Sequence, residues 1–429
     1  MQKKLLIITY YWPPSAGGGV QRWLKFAKYL PDNGWTPIIY TPENPDYGLM
    51  DESMDQDIAA DLTVLKTPIW EPYGLAKIFR KSKKGISNAG KVDNKGLKNK
   101  LLSWIRGNLF IPDPRKFWVK PSTRYLTEHL KTHPVDAIVT TGPPHSMHLI
   151  GLALKKELGL PWIVDIRDPW SGFDMLDKYH VSRANRHKYA AMEKEVLTRC
   201  DKVLATSPSM PDLLQPFDHE KFECITNGYD NDDFPSIPST PPSTTTIYHA
   251  GLLNELRNPT HFWSALASMA ERRKALHLHL AGVVESSVQA DLLAHSALKD
   301  KVTLQGYKPH EEVLLDYQKA AYLLLLVNNT ANAKVNIPGK TFEYLATGKP
   351  IICISDKEAD VVKILSDLDH VLVLSYDESA ELIQDKLTTF MAKDFSSVTG
   401  AKDMKKYSRS ELTARLVRAL NGMTTQKVS

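Results

Sequence analysis

The sequence predicts an α/β protein of two doubly wound domains with parallel sheets. Short apolar runs alternate with patterns of helical period along nearly the whole chain, as expected of strands joined by crossover helices. The alternation stops at PSIPSTPPSTTT, residues 235–246, and restarts beyond it. A stretch of Pro, Ser, Thr and one Ile cannot build a core and reads as a linker. No apolar run approaches the roughly 18 residues of a membrane-spanning helix; the longest lies at 323–327. A chain of 429 residues, 42% hydrophobic and 24% charged, is a globular protein of two or three domains.

Residues 5–10 form the first strand, closed by Pro13 and Pro14. So short an apolar stretch after the charged start reads as a buried strand rather than a secretory signal. Gly17, Gly18 and Gly19 follow, and then Val20, Trp23, Leu24, Ala27 and Leu30 recur at helical spacing. A turn at 31–34 leads to a strand at 36–41, which completes a βαβ opening with a glycine-rich loop. Strands at 135–141, 162–166, 202–206 and 224–226 and a helix at 146–158 continue the first domain. Beyond the linker come strands at 247–250, 276–281, 302–305, 322–327, 351–354 and 371–374. The expected division is 1–234, linker 235–246, second domain 247–404 and a tail at 405–429. The tail's helix, near 410–420, has no strand after it and is expected to pack back on the first domain. Ligands of such sheets bind beyond the carboxyl ends of the strands, here in a cleft between the domains.

The net charge of +5 is unevenly spread. Residues 77–106 hold ten Lys/Arg and one acid, Asp93. Within this basic insertion Leu97, Leu101, Trp104, Ile105 and Asn108 fall on one helical face. That pattern fits an interfacial amphipathic helix on an anionic membrane surface, and equally a solvated surface excursion. No recognition-helix or base-stacking pattern accompanies the charge, so nucleic acid is not an expected partner. Cys200, Cys224 and Cys353 lie far apart without CxxC spacing, which points to structural thiols in a cytoplasmic protein. Asp55 with Asp57 and Asp230 with Asp232 have the spacing of acid pairs, but one pair lies in a polar loop and the other beside the linker. No metal and no cofactor is expected.

The most informative segment runs from Asn336 to Pro350, NIPGKTFEYLATGKP. Pro338 and Gly339 shape a turn, and a short helix follows whose free N–H groups suit a diphosphate. Lys340 adds a charge there, and Glu343 lies one turn in, placed for ribose hydroxyls. The alternative is a Pro-initiated helix with a solvated Lys–Glu pair. In the first domain, His145 and His148 share a face at a helix start after a strand. Either one can orient or deprotonate an acceptor hydroxyl, or both are structural. Asp165, Arg167 and Asp168 end the next strand, where they position hydroxyls or form a brace. Gly18 and Gly19 permit close approach of a sugar-phosphate.

Together with TNGYDNDDF (226–234), HAGLLNELRNP (249–259) and PGKTFEYLATGKPII (338–352), this organisation resembles the retaining glycosyltransferases of family 4. The resemblance implies the GT-B architecture, two Rossmann-like domains facing across a cleft, and a nucleotide-diphosphate sugar donor. It implies that Gly251 lets the backbone approach the donor phosphates and that Arg257 faces them. Gly306 and Tyr307 would read the base, with Tyr307 alternatively a packing residue. Asn336, Gly339, Lys340 and Thr341 complete the donor set, and Glu343 matches the second of the family's paired acids. The first falls on Val335, a departure that leaves Asn336 as an uncharged substitute for binding sugar hydroxyls. His145, His148 and Asp165 are the expected catalytic residues, and Arg167 and Asp168 the acceptor ligands. The implied reaction transfers a sugar by front-face displacement to a hydroxyl of a surface-glycan precursor, soluble or lipid-linked, in the cytoplasm or on the inner face of the membrane. Two alternatives remain, a nucleotide-sugar epimerase and a non-catalytic nucleotide-sugar-binding protein.

Overall fold

The computed structural model describes residues 2–48, 50–72, 97–234, 245–272, 275–395, 398 and 404–425. Most of the linker (235–244) and residues 77–96 of the basic insertion lie outside the described residues. The chain forms two compact units, Met1–Thr226 with Leu412–Ser429, and Asn227–Glu411.

The first unit holds a sheet of strands β1 (Lys3–Ile8), β2 (Trp35–Pro42), β3 (Thr63–Thr67), β4 (Ala137–Gly142), β5 (Trp162–Ile166), β6 (Lys202–Ala205) and β7 (Phe222–Cys224). They pair in the order β3-β2-β1-β4-β5-β6-β7, always parallel. Every residue of β4 and β5 is buried, as expected of a parallel strand covered on both faces. Edge strand β3 has no fully buried residue, which is why its sequence lacks an apolar run. Helices α1 (Gly18–Tyr29), α2 (Leu97–Leu109), α3 (Lys116–Thr132), α4 (Ser146–Leu158), α5 (Met175–Lys178) and α6 (Arg183–Arg199) belong to the same unit.

The second unit has strands β8 (Thr245–Ala250), β9 (Leu276–Ala281), β10 (Val302–Gly306), β11 (Tyr322–Leu326), β12 (Ile351–Ile354) and β13 (Val371–Leu374). Their order is β10-β9-β8-β11-β12-β13, again all parallel. Helices α7 (Thr260–Arg272), α8 (Ser286–Leu293), α9 (His310–Lys319), α10 (Lys340–Thr347) and α11 (Asp360–Leu365) lie between them, and α12 (Ala380–Met391) follows β13. Leu324 and Leu326 pack with Phe262 and Trp263 on one face; Leu323 and Leu325 pack with Phe342 and Tyr344 on the other. That division is the period of two of a strand.

The last helix, α13 (Arg409–Thr425), sends Leu412, Leu416 and Leu420 into the core of the first unit beside Leu5, Ile7, Trp23 and Trp35. Spacing of four residues puts these leucines on one face. Asn421 anchors its end, its Oδ1 accepting from Trp35 Nε1 at 3.2 Å and Lys3 Nζ at 3.3 Å.

In each sheet the strand order reverses direction once, between β1 and β4 and between β8 and β11. Such reversals open a crevice at the carboxyl ends of the strands.

Candidate active site

At the β8–β11 reversal the backbone after β8 makes room for charge. Gly251 has φ +135°, and a Cβ there would stand 2.4 Å from Lys340 Nζ. Only glycine combines that backbone with so close an ammonium. Lys340, first residue of α10, donates to the Ala250 carbonyl. Arg257, on the turn Glu255–Arg257, donates from Nη1 to Leu252 O at 3.1 Å and from Nε to Asn328 Oδ1 at 2.5 Å. Burial, followed by the neighbouring Arg257, lowers the Lys340 ammonium to a pKa of about 7, with Glu343 opposing. Burial also lowers Arg257, but a guanidinium keeps its charge.

The structure gathers further expected residues around this pair. Gly339 caps α10 with nothing within 4 Å of an added Cβ, so the helix start stays open. Thr341 is buried and its Oγ1 has no partner in the protein. Glu343 does not stand alone, because its Oε1 pairs with His310 Nε2 at 3.0 Å. Burial raises its pKa, but His310, then Arg409 and Lys340, bring the carboxyl below its ordinary range. Gly306, at the end of β10, has φ +69° and accepts from Gly282 N at 2.5 Å. Tyr307 next to it is 45% exposed. Val335 is buried in the turn Ala331–Val335; the position that carries an acid in the resembled family is apolar packing here, and Asn336 follows it half-buried.

His249 was not foreseen. It is fully buried at the end of β8, and its Nδ1 lies 2.9 Å from Leu324 O. A carbonyl only accepts, so Nδ1 carries the proton and Nε2 is an acceptor, one without a partner in the protein. Burial, then Lys340 and Arg257, hold the imidazole well below its usual pKa. His249 and Leu324 meet because β8 and β11 are neighbours at the reversal, which is a tertiary fact.

In the first unit, Asp165 ends β5 with no exposure. Its Oδ1 accepts from Arg22 Nη2 at 2.8 Å and Nε at 3.1 Å, and its Oδ2 from Trp23 Nε1 and Thr141 Oγ1, both at 2.8 Å. Both oxygens are saturated. The catalytic expectation for Asp165 is therefore corrected to a brace between β5 and α1, with Arg22 the unforeseen partner. Arg167 donates from Nη2 to Pro143 O at 2.5 Å. Its Nη1 lies 2.5 Å from where a Gly19 Cβ would sit, so Gly19 makes room for Arg167. Gly18 has open space above it.

His145 stacks on Trp170, with centroids 4.8 Å apart and planes 3° apart. His148 is fully buried, with Nδ1 2.9 Å from Thr140 Oγ1. His145 Nδ1 and His148 Nε2 have no partner in the protein, and both face Gly142. Burial, the adjacent histidine and Arg167 push His145 well below its usual pKa; burial and Arg167 bring His148 to about 3. Neither is an imidazolium at neutral pH, and His148 is too weak a base to take a hydroxyl proton there. His145 opens onto a pocket lined by Tyr11, Phe110, Arg115, Asp168 and Trp170, with Asp168 exposed at its edge.

Two parallel sheets, each with helices between its strands and one reversal of strand order, have the GT-B architecture. Residues 99–228 match the family model of the glycosyl transferase 4-like domain, and the protein is a glycosyltransferase. No curated protein matches the sequence. Among solved structures, a glycosyltransferase from Rickettsia africae is 13% identical over 98% of both chains, with a TM-score of 0.64. Anabaena Alr3699/HepE, in complex with UDP-glucose, is 12% identical over 98% of this chain and 100% of its own, with a TM-score of 0.64. A Listeria monocytogenes protein put forward as a UDP-N-acetylglucosamine 2-epimerase is 11% identical over 99% of this chain and 98% of its own, at 0.57. The fold alone is common to transferases and that protein; the family match speaks for transfer. No described helix is long and apolar enough to cross a membrane.

Proposed function

We propose that the protein transfers a sugar, with retention of anomeric configuration, from a nucleotide-diphosphate sugar to a hydroxyl of a surface-glycan precursor. The observation that carries this reading is the convergence of Lys340 and Arg257 on the backbone at Gly251. The bond between the anomeric carbon and the diphosphate oxygen breaks as the acceptor oxygen bonds to the same face of that carbon. Charge then builds on the departing diphosphate, where two partly desolvated cations oppose it most strongly. The acceptor proton passes to the departing phosphate oxygen; the neutral, weakly basic His145 and His148 suit orientation of the acceptor better than proton removal. Asp168 and the aromatic pocket beside His145 are the acceptor's contacts, and Arg167 holds the loop that carries them. Glu343, held charged by His310, is the ribose ligand, and Thr341, Gly306 and Tyr307 complete the donor side. The free thiols of Cys200, Cys224 and Cys353 support a cytoplasmic reaction.

The test is incubation with UDP-, GDP-, ADP- and dTDP-sugars, with the anomer of the released or transferred sugar read by NMR. Transfer or slow hydrolysis with retention is expected from one nucleotide series, and Arg257→Ala or Lys340→Ala should suppress it. Inversion of configuration, or epimerisation of the donor without its consumption, would overturn the reading.

A further inference from the structure

Helix α2 is built inside out. Toward the protein it presents small or polar residues: Ser103 and Asn108 are buried, and a Cβ on Gly107 would stand 2.7 Å from Tyr179 and 2.8 Å from Val181. Asn108 Oδ1 accepts from Ser182 N at 2.8 Å and Asn185 Nδ2 at 3.0 Å. Large apolar side chains stay in solvent, with Leu101, Leu102 and Leu109 exposed by 58%, 53% and 54% and Trp104 by 43%, while Ile105 is half-buried. The sequence grouped Asn108 with Leu101 and Trp104. The three do share a face by spacing, but Asn108 is buried as the hydrogen-bonding post for the turn into α6, while Leu101 and Trp104 stay exposed. A surface helix in water ordinarily buries its apolar stripe instead.

The apolar surface continues beyond the helix. Lys116 donates to Leu109 O at 2.6 Å, and its ammonium lies over the ring of Phe117 at 5.3 Å. Phe117 meets Trp70 edge-on at 4.9 Å, and these rings are 41% and 55% exposed. Contiguous exposed apolar surface of this kind marks a docking site.

Charge identifies what docks. Residues 97–127 contain seven Lys/Arg and one acid, Asp113. Asp113 turns inward, accepting from Ser146 N and Oγ at 2.9 Å. Lys100, Arg106, Lys120 and Arg124 are exposed, and Lys120 and Arg124 follow Phe117 along one face of α3. A second copy meeting this surface face to face would set cations against cations. An anionic lipid surface would neutralise them, and leucines with aromatic rings inside a basic rim suit the headgroup boundary.

We propose that α2, with Trp70 and Phe117, seats the first unit on an anionic lipid bilayer. Leu101, Leu102, Trp104 and Leu109 enter the boundary between headgroups and acyl chains. Arg106 and Phe110, at the end of this helix, also line the pocket of His145 and Trp170, so the acceptor of the docked enzyme is a lipid-linked saccharide. That consequence rests on the transferase reading; the docking does not.

The experiment uses the full chain with phosphatidylcholine vesicles, with and without phosphatidylglycerol. Co-sedimentation with the anionic vesicles alone is expected, accompanied by a blue shift of tryptophan emission and reversed by high salt. Replacing Leu101, Leu102 and Leu109 together by Ser should weaken vesicle binding at least about tenfold, and Lys100→Gln with Lys120→Gln and Arg124→Gln should do the same. All six side chains are exposed, so nucleotide-sugar binding should not change and serves as the control for folding. Undiminished vesicle binding by the serine variant, or no binding at low salt, would overturn the proposal. So would a dimer of the parent that the same leucine substitutions dissolve. If the transferase reading alone fails, the parent will bind vesicles but no nucleotide sugar.

Discussion

In the proposed reaction, Lys340 couples donor binding to pH. In the free protein its ammonium titrates near a pKa of about 7; a diphosphate beside it would raise that value. Arg257 and Glu343 are the charged groups that face it, and His249 stays neutral. Below pH 7 the lysine is charged before and after binding, and affinity is full. Above pH 7 the free protein must take up a proton to bind, so affinity should fall by up to about tenfold per pH unit. A nucleotide sugar has no phosphate proton to lose in this range, which isolates the lysine. Calorimetry from pH 6 to 9 should show this slope, and Lys340→Met should flatten it while weakening binding by about 1.5–3 kcal/mol. A sloping profile in Lys340→Met would assign the titration to another group. Gly251→Ala tests the same spot from the backbone. Strain at φ +135° should cost about 1–3 kcal/mol, read by chemical denaturation. The displaced lysine should abolish nucleotide binding in a variant that still folds.

Between elements, the Asp165–Arg22 pair ties β5 to α1, with Arg22 Nη1 also donating to Thr226 O at 2.9 Å. Burial would raise the Asp165 carboxyl, but Arg22 and Trp23 hold it below its usual value. A depressed carboxylate stabilises the fold above its unfolded pKa of about 3.9, and that contribution disappears as pH falls through the lower folded value. Asp165→Asn leaves a buried guanidinium unpaired and should destabilise the first unit by about 3–5 kcal/mol, measured by urea unfolding through tryptophan fluorescence. Unchanged stability would mean that Asp165 is not a brace. The sequence marked Asp165 as a strand-end acid and had no means of showing which way it faced. Arg22 lies 143 residues away, and in the sequence it is one more cation on an amphipathic helix.

The whole molecule depends on a chain that returns. Leu416 on α13 is fully buried among residues of the first unit, although the second unit separates them in sequence. Leu416→Ala should cost about 2–5 kcal/mol and lower the unfolding transition of the first unit while leaving that of the second in place. Equal shifts of both transitions would deny the division. The two parallel sheets were legible in the sequence, because a strand buried on both faces must be apolar throughout and its crossover helix must carry a period near 3.6. Lys340 and Glu343 drew attention because a helix start imposes local residue choices, whereas Gly251 was marked only by the resemblance to family 4. Edge strand β3 was not, since half-exposed strands need no apolar run. Tertiary structure alone decided that Glu343 leans on His310, that His249 stands behind Lys340, and that α2 turns its leucines to solvent. Those relations join residues far apart in sequence, and hydrophobic periodicity reports which faces of an element are apolar but not what the folded chain sets against them.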